Sequence, residues 1–152
     1  MMILQFVVAM FATIAFAVLF SAPKMEVIFC GFTGALGWII YYILTQRGWN
    51  GIFACVMATL ILTLFARCLA IIRHCPVTIY LVTGIFPLVP GAGIYYTAYY
   101  LVNGDKTLFA AKGLETFEIA AAIGFGILLG FALPQELFNR IFAGKRKSGG
   151  SH

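Results

Sequence analysis

The chain has 152 residues, of which 62% are hydrophobic and 10% are charged, and its net charge is +5. These proportions exclude a soluble globular protein, whose surface needs more polar residues. A backbone in lipid must satisfy its own hydrogen bonds, so the long apolar runs predict helices rather than the alternating strands of a barrel. We therefore predict an all-α integral membrane protein, a bundle of about five transmembrane helices in a single domain over residues 1–143. A basic, disordered C-terminal tail is predicted at 144–152.

Five apolar runs, separated by polar turns, define the predicted spans. The first lacks the positive n-region of a signal peptide and its apolar core is too long for one, so it is predicted to remain as a helix. Each of the first four runs is long enough to cross the hydrocarbon core. They cover residues 2–20, 27–44, 51–72 and 77–102, and the last run is mixed at first and apolar over 119–133.

Lysines and arginines beside these runs predict the orientation of the chain. If all five runs cross, one side carries more basic residues and is expected to be cytoplasmic, with the N-terminus outside and the C-terminus inside. The net charge needs no nucleic acid, because a basic segment beside a lipid bilayer accounts for it. The richer side carries Lys24, Arg73, Arg140, Lys145, Arg146 and Lys147, with Arg67 close by, and the other side carries Arg47, Lys106 and Lys112.

The fourth run is interrupted by the stretch GIFPLVPGAGIYYT, at about its middle. Pro87 cannot donate to the carbonyl of Thr83, and Pro90 cannot donate to that of Phe86, so two carbonyls are expected to need other partners. Pro90 suits the first position of a new half-helix near the membrane midplane, whose first amides would be free. The sequence thus predicts a fourth helix broken between Pro87 and Gly91.

Such a break favours a binding site, because a helix N-terminus attracts a carboxylate and freed carbonyls attract a cation. Broken helices of this kind form the substrate sites of many transporters. The alternative is a proline kink whose freed groups are covered by neighbouring helices, by water or by Thr83. The predicted substrate-binding residues are Thr83, Phe86, Pro87, Pro90, Gly91, Ala92, Gly93 and Tyr95.

A stripe of small residues on the last helix includes an acidic residue. Glu118, Ala122, Gly126 and Gly130 recur every four residues and share a face that favours close helix packing. Glu115 lies one turn earlier on nearly the same face. One interpretation is that Glu118 points into the bundle or a water-filled cavity and, with Glu115, couples transport to an ion. The other is that both carboxylates lie at headgroup depth and pair with the preceding lysine.

Arg67 lies near the end of the third run, where its long side chain can reach the interface. We favour a structural pairing for it, and the alternative is a partner for Glu118 or for a substrate carboxylate. The four cysteines stand singly along the helices without the paired spacing of zinc or redox sites, so they are interpreted as packing residues. No metal, cofactor or enzyme active site is predicted, because no nucleophile with a base and no phosphate loop is present.

Two further patterns predict helix surfaces. The second run carries a seam of small residues that is expected to pack against a neighbouring helix. The fourth run leaves the membrane through an aromatic belt. The seam consists of Cys30, Gly31, Gly34 and Gly37, and the belt consists of Tyr95, Tyr96, Tyr99 and Tyr100.

The ordered segments LFSAPK, ARCLAIIRHCP and GIFPLVPGAGIYYT, with the glycine-bearing second run, resemble the C-terminal membrane half of the ThrE-type threonine/serine exporters. The form it is similar to is encoded as a separate small subunit. The most specific part is the Pro-x-x-Pro-Gly element at Pro87, Pro90 and Gly91, preceded by Arg67 and Pro76. The resemblance implies secondary export of small amino acids, chiefly threonine and serine, driven by the proton gradient across the bacterial cytoplasmic membrane.

The same resemblance implies a partner. The family pattern includes another membrane half and a soluble portion that have no counterpart here, so the chain is expected to form a hetero-oligomer with a larger ThrE-type subunit. Some members are associated with dicarboxylate export, which makes a succinate-like acid a second candidate substrate. The sequence is also compatible with a scaffold that does not transport and with a homo-oligomeric channel.

Overall fold

The computed structural model describes residues 1–134, and within this range it contains helices and turns but no strand. The tail predicted at 144–152 and the basic residues from Arg140 onward lie outside the described residues. The helices are α1 (Met2–Leu19), α2 (Val27–Gln46), α3 (Gly51–Arg73), α4 (Val77–Ile85), α5 (Gly91–Val102) and α6 (Lys106–Ala132), with a short 3-10 turn (Phe86–Leu88) between α4 and α5.

Four of these helices, α1, α2, α3 and α6, are each long and apolar enough to cross a membrane. The segment from α4 through the 3-10 turn passes the same test together with α5, as one span bent by 57°. The prediction of an all-α membrane bundle with a broken fourth span is therefore confirmed. The mixed stretch before the last apolar run is helical as well, since α6 already begins at Lys106.

Local sequence sets where the helices begin and end. The side chains of Asn50 and Asp105 each accept a hydrogen bond of 3.0 Å from an amide in the first turn of α3 and α6. α3 ends where His74 takes the left-handed conformation with φ 55°, and the Cys75 amide donates to the Ala70 carbonyl at 3.2 Å. This tight turn brings α4 back beside α3.

Threonine side chains packed against glycines bring the helices close together. The stripe on α6 receives two threonines of α3, with Thr59 against Gly126 and Thr63 against Gly130. Both hydroxyls donate to carbonyls four residues earlier in α3, at 2.8 and 2.7 Å, so burying them leaves no unpaired polar atom. The seam on α2 also packs closely against neighbouring helices, as predicted. Gly34 lies against Thr13, Gly31 against Ile14 and Gly37 against Leu62.

The same contacts fix the register between α3 and α6. Thr59 and Thr63 meet Gly126 and Gly130 in the same order, so the two helices run parallel. Gly51 lies about two turns before Thr59, and Glu118 lies about two turns before Gly126. Glu118 is therefore level with the first residue of α3, at one end of the bundle.

α5 and residues 106–117 of α6 form a helical hairpin, here called the arm. α5 packs mainly against α6, with the Gly93 region against Thr116 and Gly113 against Thr97, and none of its residues is buried. Because residues 106–117 precede the level of Gly51, the arm extends beyond that end of the bundle by up to about 18 Å. The described chain thus has a tightly packed body and an arm that continues from it through α6.

Gly126→Ala should destabilise the protein, because its Cβ would overlap the Thr59 side chain and lie 2.7 Å from the carbonyl oxygen of Val56. We expect a loss of about 1–3 kcal/mol in unfolding free energy, measured by denaturation in detergent. Gly124→Ala is the matched control, because its Cβ meets nothing within 4 Å, and it should be neutral or stabilising by up to about 1 kcal/mol. Equal effects at the two positions would contradict the packing described for α6.

Candidate substrate site at the helix break

The break between α4 and α5 satisfies part of its backbone locally. After α4 ends at Ile85, the Val89 amide donates to the Phe86 carbonyl at 3.2 Å and replaces the bond that Pro90 cannot make. The Phe86 carbonyl thus takes another partner, as expected from the sequence. Pro90 caps α5 from the preceding position, and Gly91 rather than Pro90 is the first helical residue.

The amides of Gly91, Ala92 and Gly93 were expected to be free, and two of them have no acceptor within residues 1–134. The Gly91 amide donates to the Val89 carbonyl at 2.8 Å. The amides of Ala92 and Gly93 have no acceptor within residues 1–134, and Gly91 and Ala92 are exposed. The N-terminus of α5 therefore carries two amides without a described acceptor, that of exposed Ala92 and that of half-buried Gly93 beside Thr116, where the helix dipole favours a negative group.

The other residues predicted for this site do not gather around those amides. Thr83 is buried and its hydroxyl donates to the Ile79 carbonyl at 2.7 Å, so it does not cover the break. Phe86 stacks on Phe16 of α1, with ring centroids 4.0 Å apart. Tyr95 is 63% exposed and stacks on Tyr99. Thr83 and Phe86 thus belong to the body, whereas Gly91 to Tyr95 belong to the arm.

The break lies nearer to one end of the bundle than to its middle. Pro90 lines a groove of about 680 Å³ together with Ala120 and Ile123 of α6. In the register of α3 and α6, these α6 residues are within about two turns of the Gly51 end. The break is therefore off-centre in the body, because α5 does not continue through the body but leaves it at the break, and its depth in a membrane stays a prediction.

The groove beside the break is unsuited to a polar substrate. It runs between α5 and α6 and is apolar apart from Thr97 and Thr116. Both hydroxyls donate to carbonyls of their own helices, those of Gly93 and Lys112, at 2.7 Å. A polar ligand at the α5 amides would therefore need further polar partners beyond this groove.

The carboxylates of α6 lie at its exposed surface. Glu115 accepts a hydrogen bond from Lys112 at 2.7 Å, which is the local pairing foreseen as one interpretation. Glu118 is exposed and does not point into the bundle formed by residues 1–134. The small residues of its stripe, from Ala122 onward, do pack inward. The face of α6 becomes exposed at Glu118 because Glu118 is level with Gly51, the first residue of α3. Before that level, α6 has no helix of the body beside it.

Arg67 is buried against the end of α6. Its Nη1 donates to the carbonyls of Gly130 and Leu133 at 2.6 and 2.8 Å, and its guanidinium lies 5.7 Å from the centroid of the Phe131 ring. These contacts agree with the structural role favoured from the sequence, since a cation satisfies the last carbonyls of a helix. A pair with Glu118 is excluded, because Glu118 lies about 18 Å before Gly130 along α6.

A buried polar cluster at the opposite end of the bundle was not predicted as a site. Glu26, at the start of α2, accepts hydrogen bonds from Arg73 at 2.7 to 3.2 Å and from the Tyr80 hydroxyl at 2.6 Å. Glu26 is 5% exposed and Tyr80 is fully buried. We call these three residues the Glu26 cluster. The sequence carried one signal for it, because Glu26 is the only acidic residue before Asp105.

The cluster keeps its carboxylate ionised. The hydrogen bond from Arg73, followed by that from Tyr80, holds the pKa of Glu26 below its ordinary value, against the opposing effect of burial. Arg73 is itself positioned by the Phe29 ring, whose centroid lies 4.5 Å from the guanidinium carbon. The cluster therefore joins the start of α2, the end of α3 and the first half of α4 through one carboxylate.

Comparison with known proteins bears on the whole described helical region. The model of the family described as Threonine/Serine exporter, ThrE, matches residues 5–132, which include nearly all of the six helices. The chain belongs to the ThrE family. Neither the curated proteins nor the solved structures give a match. ThrE proteins are a family of transporters and not of enzymes, and the apolar helices agree with a multi-pass membrane protein.

This ThrE-family chain should lose part of its stability in acid through Glu26. A carboxylate with a lowered pKa contributes stability above its ordinary pKa, and that contribution disappears as the pH falls through the lowered value. Glu26→Gln should therefore melt at a lower temperature than the wild type near neutral pH, and the difference should shrink below about pH 4.5. Thermal melts in detergent between about pH 7 and pH 3 measure it. A difference that stays constant over this range would contradict the ionised cluster.

Proposed function

We propose that this chain is a subunit of a secondary transporter that exports threonine and serine, is coupled to protons and works with a larger partner subunit in the bacterial cytoplasmic membrane. The observation that carries the proposal is the match of the ThrE family over residues 5–132. The broken span supports it, because discontinuous helices are a common basis of transporter sites.

In this proposal the substrate carboxylate binds at the start of α5. The amides of exposed Ala92 and half-buried Gly93 supply donors, and Pro87, Pro90 and Gly91 shape the break. An amino acid also needs acceptors for its ammonium, and the apolar groove beside α5 offers none. We therefore propose that a partner subunit completes the site over the arm. The same donors would bind a dicarboxylate, which is the second candidate substrate.

The proposed coupling group is Glu118. It is a carboxylate on a candidate membrane span, level with the first residue of α3. It has no ion pair among residues 1–134. Glu115 is its neighbour on the same face but is paired with Lys112. We therefore propose Glu118 rather than Glu115 as the group that couples transport to the ion.

Counterflow of labelled threonine into threonine-loaded proteoliposomes tests the proposal. We expect uptake when the chain is reconstituted with the larger ThrE-type partner encoded in its own genome, and little uptake with the chain alone. Gly91→Leu is a site variant for the same assay, because nothing lies within 4 Å of a Cβ at this position while a longer side chain would cover the α5 amides. It should fold normally and lose most of the uptake.

Uptake by neither preparation, with both proteins folded and inserted, would contradict threonine exchange by this pair. The same vesicles loaded with succinate then test the dicarboxylate as substrate. Uptake by the chain alone that shows no counterflow and ignores the proton gradient would favour a channel. Full activity of Gly91→Leu would remove the α5 amides from the site.

Glu118→Gln should abolish the dependence of transport on the proton gradient, whereas Glu115→Gln should retain it. The two substitutions remove the same charge one turn apart on exposed positions of α6. The measurement is the rate of threonine export against external pH in the reconstituted pair. An unchanged pH profile in Glu118→Gln would exclude it as the proton carrier.

A further inference from the structure

The Glu26 cluster holds a short helix that has a break at one end. α4 has nine residues and follows the tight turn at His74. Its far end is the 3-10 turn and the break, beyond which α5 belongs to the arm. α4 is thus connected to the rest of the chain by a turn at each end, and Tyr80 places its hydroxyl against Glu26.

The sides of α4 that face away from the cluster are loosely packed. One cavity of about 260 Å³ lies between α4 and the loop after α1, lined by Pro23, Thr78 and Val82 among others. A second cavity of about 430 Å³ lies between the start of α4 and α6, lined by Val77 and Leu133 among others. Interiors without such spaces resist movement, so among residues 1–134 α4 has open space on these two sides, while its face toward α2 packs closely, with Gly84 against Thr33.

The bonds of the cluster are suited to a contact that breaks and reforms as a unit. A buried ion pair adds little net stability, because the cost of removing both charges from water offsets their attraction. Removing one partner by substitution is costly, because it leaves the other charge buried and unpaired. Moving both partners apart into water is not costly in this way, since water then solvates both charges. Arg73 is half-buried and reaches the surface at an end of the described bundle. The cluster therefore favours a fully closed or a fully open arrangement over an intermediate one.

We propose that Glu26, Arg73 and Tyr80 form the latch of a gate at the end of the bundle that carries Lys24 and Arg73. When the latch is closed, α4 lies against α2 and α3. When it opens, α4 moves away from them about the break and exposes a path from this end toward the start of α5. The use of this gate in export rests on the proposed function, but its opening does not require transport and can be measured without it.

Cys30 is a native reporter of the closed state. It lies one turn after Glu26 on α2, is fully buried, and its thiol lies 3.7 Å from the Ile79 carbonyl of α4. Movement of α4 away from α2 would expose it. Cys55 is the matched control, because it is 1% exposed in α3 and has no part in the contact between α2 and α4.

The test compares thiol labelling in two single-cysteine proteins, one retaining Cys30 and the other retaining Cys55, with serine at the other cysteines. Tyr80→Phe is introduced into each, since it removes one hydroxyl and keeps the ring. We expect maleimide to label Cys30 about tenfold faster, the effect of losing one hydrogen bond to a charged group, and Cys55 at an unchanged rate. Tyr99→Phe, on the exposed face of the arm, should change neither rate.

Glu26→Gln provides a second variant with the same expected result, and a thermal melt in detergent confirms that each protein is folded. Unchanged labelling of Cys30 in both folded variants would overturn the latch. Equal acceleration at Cys30 and Cys55 would also overturn it, because general loosening would then explain the result. If labelling follows the expectation but threonine counterflow is absent, the result supports the gate and contradicts the proposed threonine export.

Discussion

The fold depends on close contact between helices whose interfaces contain small side chains rather than large apolar ones. Lipid offers no hydrophobic drive for helices to associate, so packing distance decides which faces meet. The described chain meets this requirement by setting threonines against glycines, at Thr13 and Gly34 and along the Thr59 to Gly130 seam. Each threonine hydroxyl bonds to its own helix, so a polar side chain is buried without a partner from another helix. These seams make α1, α2, α3 and the second half of α6 one body.

The break lies where the chain leaves that body. α4 is held by the body, but the prolines release α5 from it, and α5 turns away by 57° to pack on the first half of α6. The exposed amides, the apolar groove and the carboxylate of Glu118 all lie on or beside this arm. The opposite end of α4 carries the Glu26 cluster. A short helix thus connects the candidate substrate site with the only carboxylate that is buried among the described residues.

Several features followed from the sequence for identifiable reasons. Runs of apolar residues long enough to cross lipid predicted the helices, and paired prolines predicted the break, because both depend on backbone hydrogen bonds within one segment. The small-residue faces on α2 and α6 were also correctly predicted, since helical periodicity is local. The residues that contact those faces were not predicted, because no local sequence pattern distinguishes Thr13, Thr59 and Thr63. The sequence left two interpretations of Glu118 open, and its exposure among residues 1–134 arises because its face of α6 continues past the level of Gly51, the first residue of α3.

The sequence by itself therefore determined the class of protein, the number of candidate spans, the place of the break and, through its ordered motifs, the ThrE family. Only the tertiary structure decided the position of the break beside α6, the exposure of Glu118, the contact of Arg67 with the end of α6 and the meeting of Glu26, Arg73 and Tyr80. The first group depends on interactions within a few turns of one helix. The second depends on which helices lie side by side and in what register, and neighbouring residues in the sequence do not encode that directly.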